Sequence, residues 1–154
     1  MALYFADTSA LCKRYIAEVG PTWVRSVLDP TTGATVFIAR VTTVEMIAAI
    51  TRRERGSALT PTDAATARAA FQIDLDQEYQ VVEMTETLAT QAMRLAKTHG
   101  LRGYDAIQLA AALTIQTLRA TQQLPAMTLV SADSELNAAA MAEGLIVEDP
   151  QAHP

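Results

Sequence analysis

Residues 3–11, Leu3-Tyr4-Phe5-Ala6-Asp7-Thr8-Ser9-Ala10-Leu11, read as a buried strand that runs straight into a helix. The apolar run from Leu3 to Ala6 is short enough for a strand covered on both faces, while Ala10, Leu11, Tyr15 and Ile16 fall at helical spacing. Asp7 then stands at the carboxyl end of a strand, with the hydroxyls of Thr8 and Ser9 beside it. In an open parallel α/β sheet ligands bind at that edge, so other acids that reach it become candidates for a shared site.

Outward from this stretch the chain alternates helices and strands. The first helix is predicted to reach about Val19 and stop at Gly20, and Pro21 opens a second that carries Trp23, Val24, Val27 and Leu28. The turn formers Asp29-Pro30-Thr31-Thr32-Gly33 precede a second buried strand, Val36-Phe37-Ile38-Ala39. Thr42 and Glu45 have capping-box spacing and open a third helix towards Gly56, and Thr60, Pro61 and Asp63 open a fourth to about Asp76, the two forming a hairpin. Val81 and Val82 give a third strand. Thr85 starts a helix with the stripe Leu88, Ala92, Leu95 and Ala96, with Lys97 and His99 suited to its carboxyl end and Gly100 as its stop. Gly103-Tyr104-Asp105 enters a helix to about Ala120 whose first half is apolar nearly all round, as in a central buried helix. Residues 127–130 read as a fourth strand, 134–142 as a further helix and 145–147 as an edge strand. The expected class is α/β: a central parallel sheet of four to five short strands flanked by helices in a three-layer sandwich. Residues 1–149 form one domain, and 150–154 a short frayed tail.

Composition agrees with this class and limits the function. A chain of 154 residues, half of them hydrophobic, fits one globular core, and few aromatics with abundant alanine favour close helix packing. The formal net charge of −5 gives no global attraction for nucleic acid, so a polyanion site needs a local basic patch or bound cations. Cys12 is the single cysteine, which excludes an intrachain disulfide and a cysteine zinc cluster, and its apolar helix suggests a buried thiol. The sequence shows neither a basic region ahead of a long apolar stretch at its amino terminus nor a run long enough to span a membrane, so the expected location is the cytoplasm.

Four acids share an address at the strand ends and helix starts: Asp7, Glu45, Asp105 and Asp133. Short strand-to-helix connections would bring them to one crevice, although they lie far apart in the chain. Carboxylates so placed repel and raise each other's pKa unless a cation or a shared proton intervenes. Oxygen ligands with no histidine or cysteine nearby suit Mg²⁺ or Mn²⁺. Such an ion can activate water and stabilise charge on a phosphodiester, and it also offsets the repulsion between an acidic cleft and a phosphate backbone. Thr8 and Ser9 are candidates for hydrogen bonds to Asp7, water or phosphate. Lys13, Arg14, Arg40 and Arg102 are candidates for contacts with the phosphates of a nucleic acid. Taken singly, each acid also reads as an ordinary helix cap. His99 suits a helix end and His153 lies in the tail, so neither suggests a catalytic base.

With these residues the sequence resembles the PIN-domain ribonucleases, and within them the VapC-type toxins of toxin–antitoxin pairs. The resemblance covers nearly the whole chain through Asp7-Thr8-Ser9-Ala10-Leu11, Thr42-Thr43-Val44-Glu45, Tyr104-Asp105-Ala106 and Ser131-Ala132-Asp133 with Leu136. It implies a PIN-like sandwich, with Asp7, Glu45, Asp105 and Asp133 as a catalytic quartet around Mg²⁺ or Mn²⁺ and endonucleolytic cleavage of RNA. It further implies a homodimer neutralised by a small cognate VapB-like antitoxin. Ala39 departs from the pattern, standing where many relatives carry a hydroxyl residue. A haloacid-dehalogenase-like phosphatase would need a second Asp where Ser9 stands. A catalytically silent PIN-like module that binds protein or RNA has no need of an intact quartet, and four unrelated helix caps would not converge.

Overall fold

The computed structural model describes residues 2–16 and 22–153. Among them five short strands form one parallel sheet: β1 (Leu3–Ala6), β2 (Thr35–Ala39), β3 (Gln80–Val82), β4 (Thr128–Val130) and β5 (Ile146–Glu148), in the order β3-β2-β1-β4-β5. The chain leaves β1 towards β2 and β3, then crosses back to β4 and β5 on the other side. That reversal makes the gap between β1 and β4 a topological switch point, where the connections diverge and leave a crevice beyond the carboxyl ends of the strands. Ala6 pairs with Val130, and the Asp7 N–H donates to the Val130 carbonyl at 3.2 Å, so Asp7 opens into this crevice beside the segment leaving β4.

Alternation along the strands divides the core between the two faces of the sheet. Phe5 and Leu129 belong to a cluster with Leu88 and Leu95 of α5 (Glu86–His99), Leu109 of α6 (Gly103–Thr121) and Leu136 of α7 (Ser134–Ala142). Ala6, Val36, Ile38 and Val130 pack instead with Leu11 of α1 (Thr8–Tyr15), Val24 of α2 (Thr22–Val27), Met46 of α3 (Arg40–Arg55) and Phe71 of α4 (Pro61–Gln77). The result is the expected three-layer sandwich. Residues 106 and 109–113 of α6 are all buried, so this helix is the central one that its apolar sequence predicts. No helix among the described residues is long and apolar enough to cross a membrane.

Local start and stop signals are obeyed where a side chain supplies them. Thr60 accepts from the Asp63 N–H and Thr85 from the Leu88 N–H, both at 3.1 Å, and Gly100 closes α5 at φ +67°. The first helix is shorter than expected: Ile16 is already extended, at φ −115° and ψ 108°, and its side chain packs with Ile50, Ala64 and Ala67. The expected run to Val19 with Gly20 as stop and Pro21 as the next start lies outside the described residues. The capping box is also corrected. α3 springs directly from Ala39 without a side-chain cap, which places Thr42 inside its first turn and Glu45 in its second. The tail is not frayed over residues 150–153. Asp149 caps a 3₁₀ turn, Pro150 is buried, and the His153 ring stacks on Trp23 at 4.1 Å and 7° while its Nε2 pairs with Glu148 at 2.9 Å. Cys12 is half-buried, with its thiol 3.5 Å from the Met46 sulfur.

Candidate active site

The strand-to-helix junction after β1 fixes Asp7 first. Its backbone is extended and it caps α1, with Oδ1 accepting from the Ala10 N–H at 2.9 Å. The Ser9 hydroxyl lies 2.7 and 2.9 Å from the two carboxylate oxygens, and the Ser131 hydroxyl donates to Oδ2 at 2.8 Å. Ser131 leaves the end of β4, so this bond ties the two central strands together across the crevice. The same loop is held further by the Ala132 N–H on Ser9 Oγ, the Asp133 N–H on Ser131 Oγ, and the Asn137 amide on the Ser131 carbonyl. Asp133 in turn caps α7 through the Leu136 N–H at 3.0 Å.

A second polar group holds Glu45. The Thr8 hydroxyl donates to Glu45 Oε1 at 2.8 Å, and the Gln108 amide, projecting from buried α6, lies 2.7 Å from Thr42 Oγ1, 3.2 Å from Thr8 Oγ1 and 3.3 Å from Glu45 Oε1. Thr42 is fully buried. Tertiary contacts, and not a local cap, therefore set the orientation of Glu45.

The electrostatics link the acids: the charge of Asp133 acts on Asp7, and those of Asp133 and Glu45 act on Asp105. Asp7 is 3% exposed, and burial pushes its carboxyl up to about 6, with Asp133 adding to the rise and the Ala10, Ser9 and Ser131 donors opposing it. Asp105, 9% exposed in the first turn of α6, is also pushed up to about 6, by burial first and then by the charges of Asp133 and Glu45, against a lowering by Arg102. All four predicted acids thus stand around the same edge. Among the described residues no three acid, histidine or cysteine side chains close into a ready-made metal cage. Asp7 and Asp133 are turned onto cap N–H donors and Glu45 onto Thr8 and Gln108, so they ring the crevice without converging on one point. The donor set is all oxygen, and two of its acids are raised, by burial first and by neighbouring carboxylates after it. That chemistry fits a hard divalent cation.

The basic candidates separate. Arg14 is committed to the fold, donating to the Leu28 carbonyl at 2.6 Å and the Tyr79 hydroxyl at 2.9 Å and pairing with Asp74, while Lys13 is buried and engaged. These partners turn Arg14 away from the role of a phosphate contact. Arg40 stands at the end of β2 but forms a bidentate pair with Glu83. Arg102 is the cation whose charge acts on Asp105, and its guanidinium lies near the Tyr104 hydroxyl at 3.4 Å. The sequence reading assigned no site role to Thr42, Gln108, Ser131 or Asn137. Gln108 carried a usable signal, as the lone polar residue within Ala106-Ile107-Gln108-Leu109-Ala110-Ala111-Ala112-Leu113.

A family model described as the PIN domain matches residues 4–141. The chain belongs to the PIN-domain family. It is 30% identical over 154 residues to ribonuclease VapC45 of Mycobacterium tuberculosis, covering all of both chains. The same fold also appears in solved structures. VapBC2 of Rickettsia felis, bound to a DNA fragment from its promoter, matches with a TM-score of 0.64 at 14% identity, over 96% of this chain and 98% of that one. A toxin–antitoxin complex from Klebsiella pneumoniae matches with a TM-score of 0.60 at 16% identity, over 97% and 98%.

Proposed function

We propose that this PIN-domain chain is a divalent-metal-dependent endoribonuclease, the toxin of a toxin–antitoxin pair that acts in the cytoplasm. The observation that carries the reading is the assembly of Asp7, Glu45, Asp105 and Asp133 at the switch point, with Asp7 and Asp105 both raised to about 6. The full-length likeness to a protein named a ribonuclease supports the reaction class.

The four acids would hold Mg²⁺ or Mn²⁺. When bound, such an ion lowers the pKa of water and offsets charge on the phosphate. The chain's own contribution is orientation. Ser9, Ser131 and the Ala10 N–H fix both oxygens of Asp7, and Thr8 fixes one oxygen of Glu45. Arg102, whose charge acts on Asp105, would meet an incoming phosphate. The partners in this reading are RNA as substrate, a small VapB-like antitoxin that neutralises the enzyme, and a second copy of the chain. Support for the homodimer comes from Val44 on α3, Met84 after β3 and Met93 on α5, large apolar side chains exposed around grooves lined by Ile107.

The test is cleavage of a mixed structured-RNA pool by wild type and Asp7→Asn, each with Mg²⁺, Mn²⁺ or EDTA. Divalent-dependent cleavage by wild type that is absent from the variant is the expected result. Cleavage that survives EDTA, or that the variant retains at the wild-type rate, would overturn it.

A further inference from the structure

The Gln108 side chain is 2% exposed in the middle of the apolar half of α6, and its two ends are treated very differently. The amide nitrogen meets three oxygens, on Thr42, Thr8 and Glu45. The carbonyl oxygen is buried, and among the described residues it has no hydrogen-bond partner. A buried, unbonded carbonyl is costly, and an apolar side chain of the same size would avoid it. The amide cannot be turned to relieve the carbonyl, because that would set it against the Glu45 carboxylate. The structure thus keeps a locally unfavourable group in order to place an N–H donor behind Glu45. Both inner hydrogen bonds of Glu45 go to Oε1, and among the described residues none reaches Oε2.

We propose that Gln108 is a positioning residue that, with Thr42 and Thr8, locks Glu45 through Oε1 and so leaves Oε2 as the oxygen offered to a divalent cation. The inference rests on the reading of Glu45 as a metal ligand. Thr42 supports the arrangement from behind: its hydroxyl makes the shortest bond to the amide, at 2.7 Å, and is not itself bonded to Glu45. The three groups come from α1, α3 and α6, so the orientation of Glu45 depends on how these helices meet.

Gln108→Met keeps the volume and removes both the donor and the orphaned carbonyl. Three quantities separate positioning from mere packing: the melting temperature without metal, the Mn²⁺ dissociation constant from electron paramagnetic resonance, and kcat and KM for RNA. The expected result is a melting temperature within a few degrees of wild type, with Mn²⁺ affinity and kcat each reduced roughly 10–100-fold and KM nearly unchanged. Thr42→Val should move the same quantities in the same direction by a smaller factor, and it carries the test if Gln108→Met does not fold. Wild-type Mn²⁺ affinity and kcat in a folded variant would overturn the proposal and leave the nuclease reading standing. Failure of the wild-type protein to bind Mn²⁺ would remove the metal reading itself, and this inference with it.

Discussion

Asp7 ionises against its surroundings. It has three hydrogen-bond donors, yet burial and the neighbouring Asp133 hold its carboxyl at about 6, above the ordinary 3.8. An acid raised in this way binds its proton more tightly in the folded than in the unfolded chain. Its contribution to stability is therefore complete below pH 3.8 and is lost as the pH rises through about 6. Asp105 is raised into the same window and acts in the same direction. Thermal melts of metal-free protein should accordingly show a melting temperature that falls between about pH 4 and pH 6.5, and saturating Mg²⁺ should reverse the loss at neutral pH. Asp7→Asn removes the charge while keeping an oxygen for the Ala10 N–H. It is expected to stabilise the metal-free protein at pH 7.5 by on the order of 1–3 kcal/mol and to lower cleavage by roughly 100-fold or more. A metal-free melting temperature below that of wild type at pH 7.5 would show that Asp7 is chiefly a helix cap.

Among the secondary-structure elements, the caps written into single residues were legible in the sequence and the junctions made by tertiary contact were not. Thr60, Thr85, Gly100 and Asp133 announce helix ends because each acts on a backbone group within a few residues. Ala39 announces nothing, so the start of α3 was misplaced and Thr42 and Glu45 were read as a local cap. In the fold they face Thr8 and Gln108 instead. Ser131 is the corresponding case after β4, since its hydroxyl joins Asp7 to the Asp133 N–H across elements far apart in the chain. Ser131→Ala is expected to cost about 1–3 kcal/mol by chemical denaturation, with a larger proportional loss of cleavage than of stability. At the far end of the chain, His153 lies face to face with Trp23, the one tryptophan. His153→Ala should change the Trp23 fluorescence and cost about 0.5–1.5 kcal/mol. An unchanged spectrum would show that the tail does not hold this position in solution.

At the level of the whole molecule, a net charge of −5 must be reconciled with an RNA substrate. Of the four basic candidates, Arg14 serves the fold, Lys13 is buried and Arg40 is paired with Glu83, while Arg102 lies where its charge acts on Asp105. Arg102→Ala should weaken RNA binding and reduce the salt slope by roughly 0.7–1, whereas Arg40→Ala should change it little. Equal slopes for the two variants, measured over a salt titration, would contradict this division. The exposed Val44 and Met93 give the whole-chain surface its other feature. If that face joins two copies, Met93→Glu should weaken the dimer at least about tenfold by light scattering, because it buries an unpaired charge.

The sequence by itself determined the α/β class, the parallel sheet and the central burial of α6, and it singled out the four acids as candidates. The first three are carried by local periodicity. Asp7 and Asp133 stand at strand-to-helix junctions that the switch-point rule sends to one edge, whereas Glu45 in the second turn of α3 and Asp105 in the first turn of α6, which follows α5, reach it through the packing of their helices. Tertiary structure alone decided how the acids are held. Gln108, Thr42 and Ser131 act on groups more than 60 residues away in sequence, and hydrogen bonds across that separation leave no periodic trace. The same holds for Arg14, whose partners Tyr79 and Asp74 remove it from the list of phosphate contacts, and for His153, whose partner Trp23 turns a polar tail into a docked one. Sequence records what a residue can bond, and the packing of distant elements decides which of those bonds form.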